Sequence, residues 1–312
     1  MRKLTSNPFL YFLILWVQVP LFAQQRQICI TVDDLPTVAY GENNELKITE
    51  KLIQHFDKYR IPAVGFVNEG KLFYNNKLVP RKLNLIRYWL ENGYELGNHT
   101  YSHLDYNNSS FEKFTGEIIK GEILTKPLSE EFNLPWRYFR HPFLHVGPNK
   151  EKADSLSTFL SENNYIEAPV TIDNADYIFA KAYSNASKAK DEVFKKRIGK
   201  DYVNYMEAKI KYFGKLTNRL FDRQIPQILL THANLINADY YDDLAEMYLC
   251  NGYEFITLET ALQDPAYKTE ITAFGSYGIS WLDRWALSRE GFDRSILQED
   301  PETPEYITKA AK

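Results

Sequence analysis

From Ile28 to Val32 the chain is a short, β-branched apolar run, and the polar group Asp33-Asp34-Leu35-Pro36 follows at once. The pattern predicts a buried strand that ends in a polar loop. Leu46, Leu52, Ile53 and Phe56 then recur at helical spacing. Residues 63–67 read as a second buried strand, Leu83, Ile86, Trp89 and Leu90 as a helical face, and Gly93 stands where that helix would stop. A strand is expected over 94–97. Ser109 with Glu112 forms a capping box for a helix carrying Phe114, Ile118 and Ile119, and Tyr138-Phe139-Arg140 is the next strand. Further strands are expected near 165–172, 227–231 and 253–256. About seven strands separated by helices, with no second composition regime, predict an α/β fold: a distorted (β/α) barrel with about seven parallel strands.

Two segments stand outside this alternation. Residues 177–223 are long, charged and mostly helical, with apolar positions at Phe194, Ile198, Tyr205, Phe213, Leu216 and Leu220, and read as an inserted helical pair. From Asp264 onward the chain is first aromatic, in Tyr277, Trp281 and Trp285, and then acidic and proline-rich. The aromatic half is expected to pack on the barrel and the last dozen residues are not.

At the other end, Arg2 and Lys3 precede the apolar run Phe9 to Val17, and Leu21-Phe22-Ala23 offers a small residue before Gln24. That order is a secretory signal with cleavage after Ala23, so the protein is expected to be exported, to a periplasm or the extracellular space. The apolar run is well short of the roughly 20 residues that span a bilayer, so no retained membrane span is expected. With 37 basic against 41 acidic side chains, the formal charge of -4 leaves no cationic excess to neutralise a phosphate backbone, which argues against nucleic acid as a partner. Both cysteines, Cys29 and Cys250, read as buried thiols rather than a disulfide. The oligomeric state is not legible.

The polar residues that interrupt this pattern fall at the carboxyl ends of successive strands: Asp33 and Asp34, His99 and His103, Arg140, Asp173 and Asp176, and His232. In an α/β barrel that end carries the active site. His99 and His103, four residues apart, would present both imidazoles in one direction if they shared a helical turn, and one carboxylate would complete a three-ligand site for a divalent metal. Asp33 and Asp34 are adjacent, so one can bind a metal while the other is held free for proton transfer. Three protein ligands leave positions open for water and substrate, which is a hydrolytic arrangement.

In order and separation, Thr31-Val-Asp-Asp34, His99-Thr-Tyr-Ser-His103, Arg140-His-Pro-Phe143, Asp173-Asn-Ala-Asp176-Tyr177 and Leu230-Thr-His232 resemble the five motifs of the polysaccharide deacetylases, carbohydrate esterase family four with NodB homology. The resemblance runs from about Gln27 to Leu262. It implies a deacetylase that removes N-acetyl, or O-acetyl, groups from an acetylated glycan. It implies that Asp34, His99 and His103 bind a divalent ion, zinc or else cobalt, nickel or manganese, and that Asp33 is the general base, paired with Arg140. His232 would be the general acid, oriented by Asp176, with Leu230, Tyr177 and Phe143 lining the substrate pocket. Residues 1–23 are then a signal peptide, 24–262 a deacetylase-like barrel with the insertion at 177–223, and 263–312 a C-terminal extension.

Val32 stands where the family commonly has Phe, and Tyr177 where it commonly has Trp. The second departure keeps open a hydrolase of another non-peptide carbon–nitrogen bond in a small amide. A catalytically silent glycan-binding protein and, from the two-histidine, one-carboxylate set alone, a non-haem iron oxygenase are further readings. His141 and His145 read as loop histidines without a role, and His55 as a structural residue on a helix.

Overall fold

The computed structural model describes residues 25–41 and 44–312, and the expected signal segment and its cleavage site lie outside these residues. The first strand, Arg26–Leu35, is the axis of the sheet. One edge pairs with Val64–Val67, the other with Gln227–His232, and its first residues also pair with Tyr253–Phe255. Beyond Val64–Val67 follow Glu95–Asn98, Trp136–Phe139 and Ile166–Glu167, and every one of these pairings is parallel. The expected strand over 165–172 is only two residues long as a ladder. Its continuation bridges at Ile172 to Leu229, so one segment touches both edges of the sheet and curls it into a distorted (β/α) barrel.

The two-residue period of the first strand explains the layering. Ile28, Ile30 and Val32 belong to the large apolar cluster under the helices, whereas Cys29 belongs to a smaller interior cluster with Val64, Phe66, Tyr138, Ala168 and Ile228. Asp33 continues the interior row of Cys29 and Thr31, which places it at the carboxyl end of the barrel interior. Burial pushes the Cys29 thiol up to about 12, so it is an inert apolar filler. Cys250, at the end of helix Leu235–Cys250, is exposed, contrary to the expectation of two buried thiols.

Helix Glu45–Tyr59 buries Ile48, Leu52, Ile53 and Phe56; Leu46, one of the positions expected on that face, is exposed. Helix Pro80–Glu91 starts with proline at its first turn, where a missing N–H costs nothing, and buries Leu85, Ile86, Trp89 and Leu90. Helix Phe111–Lys120 is capped by Ser110, whose side chain accepts from Lys113 N, one residue later than the Ser109 cap the sequence suggested. Ser109 instead donates to Asp105 O.

The helices Asp176–Lys188 and Glu192–Phe221 pack on each other and on helix Leu235–Cys250. The C-terminal region lies against them. Trp281, Leu282 and Trp285 are buried, and so is Ile307 in helix Glu305–Ala310, which packs on Asp176–Lys188. The last dozen residues are therefore part of the packed body, contrary to expectation. Their composition is polar, but Ile307, with the partly buried Tyr306, Ala310 and Ala311, seats the short helix on the core. Among the described residues no helix is long and apolar enough to cross a membrane.

Candidate active site

A cavity of about 930 Å³ opens at the carboxyl end of the strands. Asp33, Asp34, His99, His103, Phe143, Tyr177, Leu230 and His232 line it, while Arg140 and Asp176 lie behind, in contact with Asp33 and His232. Adjacent residues in a regular strand face opposite ways, yet both aspartates reach the cavity. Pairing with Val64–Val67 slips between Val32 and Leu35, and Asp34 takes φ 69°, an irregularity that re-aims its side chain.

His99 and His103 do not share a helical turn. They sit in a loop after Glu95–Asn98 in which Thr100 and His103 have φ of 63° and 57°, and this loop brings the two rings to 4.8 Å between centroids. The loop is held from three sides. Asn68 Nδ2 donates to His99 O, Asn98 Oδ1 accepts from Thr100 N, and Gly70 N donates to Tyr101 O. A Cβ at position 70 would stand 2.5 Å from Tyr101 O, so only glycine allows that approach.

One donor atom from each of Asp34, His99 and His103 falls within 4.8 Å of the others. His99 Nδ1 lies 2.8 Å from Arg140 O, so the N–H is used there and Nε2 keeps its lone pair toward the cavity. Burial, the largest influence on both histidines, pushes their pKa values down and favours neutral rings. Burial acts against ionisation of Asp34, but Lys71 and the charged His232 outweigh it and hold the carboxyl below its usual range. Two neutral imidazoles and one ionised carboxylate are the donor set a divalent transition metal takes, so the residues fit such an ion.

Asp33 is in a different environment. Burial pushes its pKa up to about 6 against the pull of Arg140, whose Nη1 lies 3.6 Å from Asp33 Oδ2. Arg140 is fully buried; its Nη2 donates to Thr31 Oγ1 at 2.9 Å and its guanidinium stands 4.7 Å over the Phe66 ring. Asp33 and His232 are register partners on adjacent strands. Burial lowers the affinity of His232 for a proton, but Asp176, with Asp34 and Asp33, raises its pKa to about 9. The imidazole Nδ1 donates to Asp176 Oδ1 at 2.6 Å. The cavity therefore holds, side by side, a carboxylate with raised pKa and a histidine that stays charged at neutral pH, a pairing suited to general base and general acid roles.

Several neighbours were not legible beforehand. Lys71 donates to Asp34 O at 2.9 Å and stands 3.1 Å from its Oδ1, and no sequence motif points to it. Asn234 and Asn237 donate to Asp176 Oδ2; their place just after Leu230-Thr-His232 was the available signal. His141, read as a loop histidine, is buried at the cavity with Nε2 3.2 Å from Glu167 Oε2, and His145 lies there too, paired with Asp105 at 2.7 Å. His55 sits far along a helix, 2.7 Å from Asp242 and 3.0 Å from Ala238 O.

The sequence pattern described as polysaccharide deacetylase matches residues 23–156. Two peptidoglycan-N-acetylglucosamine deacetylases of Bacillus cereus are similar to the chain. One is 31% identical over 98 residues, covering 31% of this chain and 39% of that protein; the other is 22% identical over 167 residues, covering 52% of each. The chain thus spans about half or less of the length of these curated relatives. Among solved structures, the Bc1960 peptidoglycan N-acetylglucosamine deacetylase superposes with a TM-score of 0.50 at 16% identity, over 76% of this chain and 88% of that one, a likeness of fold. Residues 23–156 of this chain thus resemble the polysaccharide deacetylases.

Proposed function

We propose that this protein is an exported, metal-dependent deacetylase that hydrolyses the N-acetyl, or O-acetyl, group of a glycan. The observation that carries the reading is the convergence, in one cavity, of the Asp34, His99 and His103 donor group with Asp33 on Arg140 and with His232 on Asp176. Asp34, His99 and His103 would hold the ion, zinc in the first instance. When bound, such an ion supplies Lewis acidity and brings the pKa of a bound water from about 15.7 to about 7.

The chain's own residues account for the proton traffic. Asp33, kept anionic by Arg140, takes the proton of the attacking water as the new carbon–oxygen bond forms. His232 gives its proton to the leaving nitrogen as the carbon–nitrogen bond breaks, and Asp176 holds the ring in the orientation and charge state for that transfer. Leu230, Tyr177 and Phe143 would wall the pocket around the acetyl group and the sugar. Residues 24–262 would form the catalytic unit and 263–312 its extension. Tyr177, half exposed at the mouth in place of the family's Trp, also supports a second reading: hydrolysis of a non-peptide carbon–nitrogen bond in another amide.

The test is acetate release from N-acetylated oligosaccharides by zinc-loaded protein, with Asp33→Asn and His99→Ala alongside. Loss of release in both variants is the expected result, and unchanged release would remove the mechanism.

A further inference from the structure

The barrel alone does not bound the cavity. One side is built by two segments outside the strand–helix alternation: the long helix Glu192–Phe221, through Tyr205 and Lys209, and the C-terminal turn at 297–303. Lys209 is only 4% exposed; its Nζ lies 2.5 Å from Asp300 Oδ1 and 4.9 Å from the centre of the Phe213 ring. The turn is pinned on either side by Ile296 and Ile307, both buried, and behind it Asn185 Nδ2 donates to Ala310 O. An ion pair at a buried lysine and two apolar anchors make this a fixed wall rather than a fringe of mobile side chains.

Where it faces the cavity the wall carries polar groups beside Leu297 and Pro301. Tyr205 Oη accepts from Ala175 N and keeps its own proton to donate, and Asp173, which accepts from Asn174 N, lines the same side. The cavity volume of about 930 Å³ falls in the roughly 300–1,000 Å³ range of sites that take a small ligand.

Building on the deacetylase reading, we propose that this wall makes the site end-selective: it seats the terminal sugar of a glycan, or a short oligosaccharide, against Asp173, Tyr205 and the Lys209–Asp300 pair. A terminal sugar carries a hydroxyl where an internal one carries a glycosidic bond. The hydroxyl satisfies the wall's donors and acceptors, whereas a continuing chain leaves them unpaired and meets the turn.

The experiment uses the full-length, zinc-loaded protein with N-acetylglucosamine oligomers of increasing length and with the polymer, locating each deacetylated unit by mass spectrometry. Release from a terminal unit at least about tenfold faster than from internal units is expected. The double variant Lys209→Met, Asp300→Ser, with its fold and zinc content checked by melting and metal analysis, should bring that ratio toward one. Equal rates in the unaltered protein would overturn end selectivity and leave the deacetylase reading standing. A ratio unchanged in the folded variant would overturn its assignment to this wall. Absence of release from every glycan would overturn the deacetylase reading, and calorimetric titration with the same oligomers then decides the inference. Affinity that stops rising with chain length supports it, and affinity that grows with each added sugar overturns it.

Discussion

His232 and Asp176 form the most completely satisfied ion pair of the cavity: Nδ1 donates to Oδ1 at 2.6 Å, while Oδ2 accepts from His232 N, Asn234 Nδ2 and Asn237 Nδ2. Asp176 is fully buried, so this network fixes both the ring and its charge. Burial alone would discharge His232, and Asp176 instead brings it to about 9. Because the folded value lies above the ordinary value near 6.5, the pair's stabilisation is complete below about 6.5 and is lost as pH rises through about 9. Asp176→Asn removes the charge and leaves the burial. The alkaline limb of the pH–rate profile should then move from about 9 to below about 7, and proton NMR of His232 should follow it. An alkaline limb that stays in place would assign it to a different group.

Lys71 competes for Asp34. Its ammonium stands 3.1 Å from the carboxylate that is also part of the three-residue donor group, where a divalent cation would feel its repulsion. Lys71→Met keeps the stem and removes the charge, so zinc affinity measured by competition with a chelating dye should rise, by about tenfold for a change of about 1.4 kcal/mol. Removing zinc with a chelator should lower the melting temperature of the unaltered protein, since an ion bound only by the folded state stabilises it by mass action. Equal melting with and without zinc would contradict an ion held at Asp34, His99 and His103.

Much of this arrangement could be read from the sequence because the barrel converts order along the chain into proximity. Asp33 and His232 lie 199 positions apart yet are register partners, and a strand-end position for each was enough to bring them together. What stayed hidden has a common cause. Lys71 and His141 acquire their surroundings from loops, whose paths carry no period to read. The same cause explains the misplaced geometry of His99 and His103. Four-residue spacing fits a helical turn, but a loop with Thr100 and His103 at positive φ can present both rings together, and the spacing does not distinguish the two.

Gly278 ties the C-terminal extension to the cavity. A Cβ there would stand 1.8 Å from Phe143 O, and the neighbouring Arg284 donates from Nη2 to Leu144 O at 2.9 Å. Phe143 in turn meets the His103 ring edge-on at 4.4 Å between centroids. Gly278→Ala must displace the Phe143 loop, at a cost of about 1–3 kcal/mol as for other overpacked sites. Lower thermal stability and slower acetate release are both expected. An alanine variant with wild-type melting and turnover would show that the loop position does not matter to the site.

Ile307 tests whether the last residues belong to the folded body. Its side chain is fully buried between helix Glu305–Ala310 and the layer formed by Asp176–Lys188, beyond the turn that walls the cavity. Truncating a buried isoleucine to alanine removes its transfer energy and leaves a cavity, together about 2–5 kcal/mol. Ile307→Ala should lose that amount in urea unfolding, while zinc affinity stays unchanged, because none of Asp34, His99 and His103 lies in this segment. A variant that unfolds at the same urea concentration as the parent would return the tail to the status its polar composition suggested. One that loses both stability and zinc binding would instead mean that the extension and the donor group unfold as a single cooperative unit.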